Sequence, residues 1–151
     1  MIVRRLGPND DAVAQQMFAT MAAVFREDDN SANGGMPLTA DYVRALLGNG
    51  NFWAVIALDG AEVVGGITAH ALPMTRDQST ELFIYDLAVR SDRQRQGIGR
   101  ALVTELLTLA SAAGIKSSFV PADNEDDHAL EFYRALGGDA APVTIFSFVR
   151  P

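Results

Sequence analysis

Asp86 is the first residue to ask about, because it sits where a carboxylate is costly. It interrupts Leu82-Phe83-Ile84-Tyr85 on one side and Leu87-Ala88-Val89 on the other, a run that reads as a buried strand. A carboxylate there loses its hydration, so it needs a salt-bridge partner, an edge position facing water, or a chemical task. Burial raises its pKa toward the range useful for taking a proton. Glu81, at the start of the same run, is the second candidate base, acting through a water molecule.

Immediately after this strand comes Gln94-Arg95-Gln96-Gly97-Ile98-Gly99-Arg100, where a polar, basic loop runs into a helix at two glycines. A strand-loop-helix start of this kind gathers unpaired backbone N–H groups at the positive end of a helix dipole. Glycine lets the backbone approach a bulky anion, and Arg93, Arg95 and Arg100 add positive charge. The chemistry implied is phosphate or pyrophosphate binding. The spacing lacks the third glycine and the acidic residue of the dinucleotide fingerprint, and the Gly-Lys-Ser/Thr of a P-loop.

The chain has no cysteine, so no acyl-cysteine intermediate and no disulfide framework is available. Its two histidines, His70 and His128, are far apart in sequence, and no metal site is expected. His70 reads as a packing or surface residue, with the cleft as its other option, and Trp53 as core. Acidic residues outnumber basic ones by 19 to 12, for a net charge of −7. That argues against nucleic acid, which needs a basic footprint. Ordinary solubility charge accounts for it, and an acidic surface would also draw in a cationic small molecule. The clusters Glu27-Asp28-Asp29 and Asp126-Asp127 are candidate ammonium binders if they converge. Taken singly, each is a solvated loop or a favourable charge at a helix start.

The elements that must position these groups follow from periodicity. With 151 residues and 48% hydrophobic content, the chain suits one domain over 1–151. No apolar stretch is long enough for a signal or a membrane span, so a cytoplasmic protein without membrane contact is expected. Strand signals cover Ile2–Leu6, Phe52–Leu58, Glu62–Leu72, Glu81–Val89, Ile115–Val120 and a closing Val143–Val149, with Asp59-Gly60 as a hairpin turn. Helices follow Asn9 or Asp10 as N-cap, begin again at Thr39, and span Gly97–Ala113 and Asp127–Leu136. Arg26–Pro37 reads as loop. The order β-α-α-β-β-β-α-β-α-β, an α/β (α+β) pattern, implies a mixed sheet with helices on both faces.

Two motifs within this order resemble the GNAT superfamily of N-acetyltransferases. One is Gln94-Arg95-Gln96-Gly97-Ile98-Gly99 after a strand ending Leu87-Ala88-Val89, and the other is Phe132-Tyr133 followed by Leu136-Gly137. The resemblance implies acetyl-CoA lying where Glu81–Val89 and Ile115–Val120 splay apart. Its pyrophosphate would rest on the loop from Gln94 through Arg95, Gln96, Gly97, Ile98 and Gly99 to Arg100, and its pantetheine on the main chain of Leu87, Ala88 and Val89. Transfer to an amine needs a base, an oxyanion donor and a proton for the departing thiolate. A tyrosine pKa of about 10 against about 8.5 for a thiol makes Tyr133 a sensible acid. The Val89 N–H is the oxyanion donor by resemblance.

A narrower similarity, in Glu81–Val89 and Ala122–Asp127, is to the aminoglycoside 3-N-acetyltransferases. It implies that Asp86 binds or deprotonates the acceptor amine, with Tyr85 beside it. Asp126 and Asp127 would hold further ammonium groups, and Glu27, Asp28 and Asp29, in the loop expected after the first helix, would form the opposite wall. The loop Ser31-Ala32-Asn33-Gly34-Gly35 has no counterpart in that pattern. A polyamine, an amino sugar or a protein amine is the alternative acceptor, and a non-catalytic acetyl-CoA-binding module the alternative class. Relatives often dimerise, so a homodimer is compatible with the resemblance.

Overall fold

A computed structural model describes residues 1–29 and 36–151. The chain divides into two units, Met1–Pro121 and Ala122–Pro151. The first holds β1 (Ile2–Arg5), α1 (Asp11–Asp29), α2 (Ala40–Gly48), β2 (Phe52–Asp59), β3 (Glu62–Pro73), β4 (Thr80–Val89), α3 (Ile98–Ala112) and β5 (Ser117–Phe119). The five strands lie in the order β1-β2-β3-β4-β5. The first four are antiparallel neighbours, and β5 joins β4 in parallel. Parallel pairing needs a crossover, which α3 supplies.

Alternation along β2 decides which helix covers which face. Phe52, Ala54 and Ile56 pack with Met17, Met21 and Val24 of α1 and with Val43 and Leu47 of α2. Val55 and Ala57 point the other way, in register with Ile67 and Gly65 of β3. That second face belongs to α3, since a Cβ added at Gly65 would stand 3.4 Å from the Leu102 side chain. Helices thus cover both faces, as expected. Met17, Ile56, Ile67, Leu82, Leu102 and Leu106 are fully buried, each contributing about 1.5–3 kcal/mol of hydrophobic stabilisation. Gly66 is required on the α1 side, because a Cβ there would meet Met17 at 2.5 Å.

Three expectations are corrected here. Asp10 does take the N-cap position of α1, its carbonyl accepting from the Ala14 N–H at 2.9 Å, but its side chain does not cap; the carboxylate receives the Gly7 N–H at 2.6 Å and both terminal nitrogens of Arg4 at 3.0 Å. Helix α1 runs on through Asp29, so Glu27 and Asp28 belong to its last turn and not to a loop. Ser31-Ala32-Asn33-Gly34-Gly35 lies outside the described residues. The smaller unit contains α4 (Asp127–Ala135), and residues 138–151 form neither helix nor strand. The expected closing strand Val143–Val149 is therefore not formed, because no strand among the described residues lies alongside to complete its hydrogen bonds. Trp53 is core as expected, 4% exposed, with Arg5 stacked 4.0 Å from its ring and its indole N–H on the Gly50 carbonyl.

Candidate active site

A single irregularity in β4 places Asp86. Thr68 faces Asp86, but the next residue, Ala69, faces Ile84, so Tyr85 is an extra, bulged residue. A bulge reverses the faces of everything beyond it. Leu82 and Ile84 point with Ala71 and Ala69 toward the α3 core, while Asp86 points with Thr68 toward the α1 face. Had the strand run on regularly through Tyr85, with no bulge, the carboxylate would share a face with Leu82 and Ile84. The Asp86 N–H donates to the Thr68 hydroxyl at 3.3 Å, which fixes the bulged backbone. Asp86 is half-buried. Burial holds its carboxyl above the usual range, and the charge of His70 partly offsets the rise.

The surface beside Asp86 is aromatic. Phe52, His70, Phe83 and Phe119 stand directly opposite one another across β2, β3, β4 and β5. Phe52 and His70 are 5.5 Å apart and Phe83 and Phe119 4.9 Å, while Tyr85 meets His70 at 5.9 Å and Phe83 at 5.5 Å. The row opens outward, from buried Phe52 to Phe119 at 40% and Tyr85 at 61% exposure. Aromatic faces attract ammonium groups and stack on flat or ring-shaped ligands. The sequence alone points to Tyr85 here and offers the cleft as one option for His70, but gives no role to Phe83, Phe119 or Thr68.

Beyond Phe83, β4 loses its neighbour on one side, because β5 pairs only with Glu81–Phe83. Leu87, Ala88 and Val89 pair with β3 on the other side. Among the described residues no strand faces their open edge. After Val89 comes a 3-10 turn, Ser91–Arg93. Arg95 then takes φ 61° and Gly97 φ 82°, and α3 begins at Ile98. The first helical bond is from Ala101 to Gly97. A turn over Gln94 and Arg95 takes up the Gln96 N–H, whereas those of Arg95, Gly97, Ile98, Gly99 and Arg100 make no backbone hydrogen bond among the described residues. Positive φ at Arg95 and Gly97, on either side of Gln96, at the positive end of α3 is the kind of backbone that can form a nest for an anion. Only Gly97 among these carries a helix cap in the left-handed region, which explains one of the two glycines by backbone conformation.

The arginines divide by their partners. Arg93 is spent on Asp59 at 2.7 Å, and Arg90 on Asp92 at 2.7 Å and Glu62 at 3.3 Å. These guanidinium groups hold the carboxyls of Asp59 and Asp92 below their ordinary range. Arg95 and Arg100 are exposed at the nest. Gln94 turns inward and donates to the Val89 carbonyl at 3.0 Å, bracing the loop rather than reaching outward. Glu27 accepts from the Ser91 hydroxyl, so the structure joins it to the loop that follows β4. Asp28 is exposed on the last turn of α1, and Glu81 half-buried where β5 begins its pairing.

In the smaller unit, Asp126 caps α4 by accepting from the Ala129 N–H at 3.1 Å, and Asp127 follows, exposed, in the first turn. Tyr133 is half-buried. Burial, and then the charge of Asp126, push its phenol above the usual value, so it keeps its proton throughout the neutral range. Such a group can give a proton to a departing anion.

Comparison with known proteins bears on this arrangement. The acetyltransferase (GNAT) family profile matches residues 16–137. A rat (Rattus norvegicus) N-acetyltransferase family 8 member 2 is 29% identical over 100 residues, which is 66% of this chain and 42% of that protein. The chain thus spans well under half the length of that relative. Among solved structures, the aminoglycoside acetyltransferase HMB0005 from an uncultured soil metagenomic sample is 34% identical, with a TM-score of 0.88 over 99% of this chain and 98% of that one. The aminoglycoside acetyltransferase meta-AAC0020, also from an uncultured soil sample and solved with sisomicin, is 30% identical, with a TM-score of 0.85 over 99% and 96%. The fold is shared with AAC(6')-Iy in complex with a bisubstrate analogue of coenzyme A, at 15% identity and a TM-score of 0.75 over 99% and 98%.

Proposed function

Because the chain belongs to the acetyltransferase (GNAT) family, an acyltransferase family, we propose that it moves an acetyl group from acetyl-CoA to an amine of an aminoglycoside, the 3-amino group first. The observation that carries this reading is the bulge at Tyr85, which sets a half-buried, proton-hungry carboxylate on an open aromatic surface one strand-turn before an anion-binding nest. Likeness to two aminoglycoside acetyltransferases over nearly the whole chain supports the acceptor class.

The residues present fit acetyl-CoA, which supplies the thioester. The nest from Arg95 to Arg100 offers its N–H groups, with Arg95 and Arg100 as charge, to a pyrophosphate. The open edge of Leu87, Ala88 and Val89 offers main-chain groups to an extended amide arm, and the Val89 N–H is the proposed donor to the oxyanion. Asp86 takes the proton of the attacking amine as the N–C bond forms. As the C–S bond breaks, Tyr133 gives its proton to the thiolate, so charge and protons balance over the step. Tyr85, Phe83 and Phe119 receive the ring and its ammonium groups, with Asp28, Asp126 and Asp127 as further carboxylates. Glu27, engaged with Ser91, acts on the loop. No described helix is long and apolar enough to cross a membrane, and a single cytoplasmic transferase over 1–151 is the setting proposed.

The test is thiol release from acetyl-CoA with gentamicin, sisomicin, spermidine and a lysine peptide as acceptors. Turnover strongest with the two aminoglycosides is expected, with product analysis assigning the acetylated amine. Turnover with another amine alone discards the acceptor, and silence with all of them discards the transferase reading.

A further inference from the structure

The acceptor nitrogen has more protons to lose than Asp86 can hold. An alkylammonium group has a pKa of about 10, so it arrives protonated at neutral pH. To become an amide it sheds two protons: an ammonium and a thioester give an amide, a thiol and one proton in solution. One of the two is balanced by the proton that Tyr133 gives to the thiolate, and the other must leave. Asp86 holds one proton at a time. To take the proton shed as the N–C bond forms, it must already have passed on the one shed before attack.

His70 stands where that proton can go. Thr68 and His70 are two apart on β3 and share a face, and Asp86, opposite Thr68 in the register, points to the same face. Diagonal neighbours on one sheet face lie about 7–8 Å apart, a gap that side chains close directly or through one water. The imidazole is held by rings: Phe52 of β2 lies 5.5 Å away, and Tyr85 of β4 meets it at 5.9 Å and 83°. Helix α1 contributes Phe18, behind Phe52 at 6.2 Å. Within Met1–Pro121 no described residue hydrogen-bonds to a ring nitrogen of His70, and the ionisable groups that engage it are Asp86 and the Tyr85 phenol. The other three places in its cross-strand row are phenylalanines, Phe52, Phe83 and Phe119. Packing alone would be served by a fourth. Imidazole is the side chain that both takes and gives protons near neutrality.

We infer that His70 is the proton outlet of Asp86. It takes the first proton of the ammonium from the Asp86 carboxyl onto a ring nitrogen and releases it to water, so that Asp86 is ionised again when the N–C bond forms. The inference rests on Asp86 as the base of the proposed transfer and brings in no reactant beyond water.

His70→Phe completes the aromatic row and removes the outlet. With an aminoglycoside near neutral pH, kcat should fall about tenfold, less than for loss of the base itself, because water carries the same proton slowly. The KM for acetyl-CoA should not change. Added imidazole should restore most of the rate. The deficit should close as pH rises toward the pKa of the acceptor, where the amine arrives neutral. The charge of His70 partly offsets the rise at Asp86, so the acid limb of kcat/KM should move to higher pH in the variant. His70→Gln, which keeps a polar side chain in place, should show the same rescuable deficit and serves where the phenylalanine variant folds poorly. An unchanged kcat in both variants overturns the inference. So does a deficit that imidazole leaves alone and that persists at high pH, which is loss of packing. Asp86→Asn in the same assay separates the two readings. If it is slow while the His70 variants are not, the outlet alone falls; if it keeps wild-type turnover, the base assignment falls and the outlet with it.

Discussion

Asp86→Asn separates chemistry from folding because the structure predicts opposite signs for the two. Asparagine keeps the shape of the side chain and the N–H bond to Thr68, so the bulge at Tyr85 is retained. The amide cannot take a proton at neutral pH. A positioned general base contributes about 10²–10⁴-fold, which at 1.36 kcal/mol per decade is about 3–5 kcal/mol of barrier. We therefore expect kcat with an aminoglycoside to fall by that factor while the KM for acetyl-CoA stays within about twofold, since the nest is untouched. Stability should move the other way. The Asp86 carboxyl is raised by burial, so its contribution is favourable below the unfolded carboxylate pKa and is lost as pH rises through the raised folded value. At pH 7 the variant no longer bears that cost, and its Tm should equal or exceed that of the wild type. The assay is thiol release across pH, with thermal melts alongside. Wild-type kcat/KM should show an acid limb above the ordinary carboxylate range, and the variant should lose it. A variant with wild-type turnover and the same acid limb removes Asp86 as base. A variant that is slow only because it melts early refutes the burial argument.

Tyr133→Phe should lower kcat by about 10², the lower end for an acid–base group, because a thiolate is already a fair leaving group; an unchanged rate across pH 6–9 (about the range where a thiol titrates) removes it as the acid. Arg95→Ala and Arg100→Ala should each raise the KM for acetyl-CoA about fivefold, the worth of an exposed charge contact of about 1 kcal/mol, and the effect should shrink in high salt. Arg93→Ala, by contrast, should act on the Asp59 contact and leave that KM nearly unchanged. Asp10→Asn should cost about 1 kcal/mol in urea melts, discounted for the exposure of Arg4. The Asp10 carboxyl is lowered chiefly by Arg4 and then by the Gly7 N–H. Its stabilisation is thus present above the unfolded carboxylate pKa and lost as pH falls through the lowered value, so the wild-type and variant melts should converge in acid.

Groups whose role depends on local pattern were legible in the sequence. The loop from Gln94 to Arg100 announces itself by glycines, arginines and a helix start within one stretch, and the structure supplies the φ values that such a loop requires at Arg95 and Gly97. Asp86 was legible as an anomaly, since a carboxylate between apolar triplets calls for an explanation. Its neighbours were not. Phe52, His70, Phe83 and Phe119 are far apart in sequence and form one row only when three strand registers are known. The same holds for partnership. Nothing local distinguishes Arg93, which reaches back to Asp59, from Arg95, and nothing in Glu27-Asp28 shows that one of the pair meets Ser91. The helix that carries both acids past Arg26 was hidden because charge clusters near Asn-Gly-Gly read as loop.

The bulge shows how a long-range feature leaves a faint local sign. In β4 the inward positions facing α3 are Leu82 and Ile84, then Leu87 and Val89. Even numbers give way to odd ones, and a strand of period two cannot do that without one surplus residue. The surplus falls at Tyr85, next to the carboxylate that the proposed chemistry sets outside the core. Had the alternation stayed even, position 86 would belong to the α3 core, and an aspartate there would be excluded by its desolvation. The change of parity and the presence of a carboxylate are therefore one fact seen twice. The closing segment fails the same kind of reading for the opposite reason. Val143–Val149 has the composition of a strand, but a strand is defined by the neighbour it pairs with, and composition alone does not supply one: the segment forms neither helix nor strand.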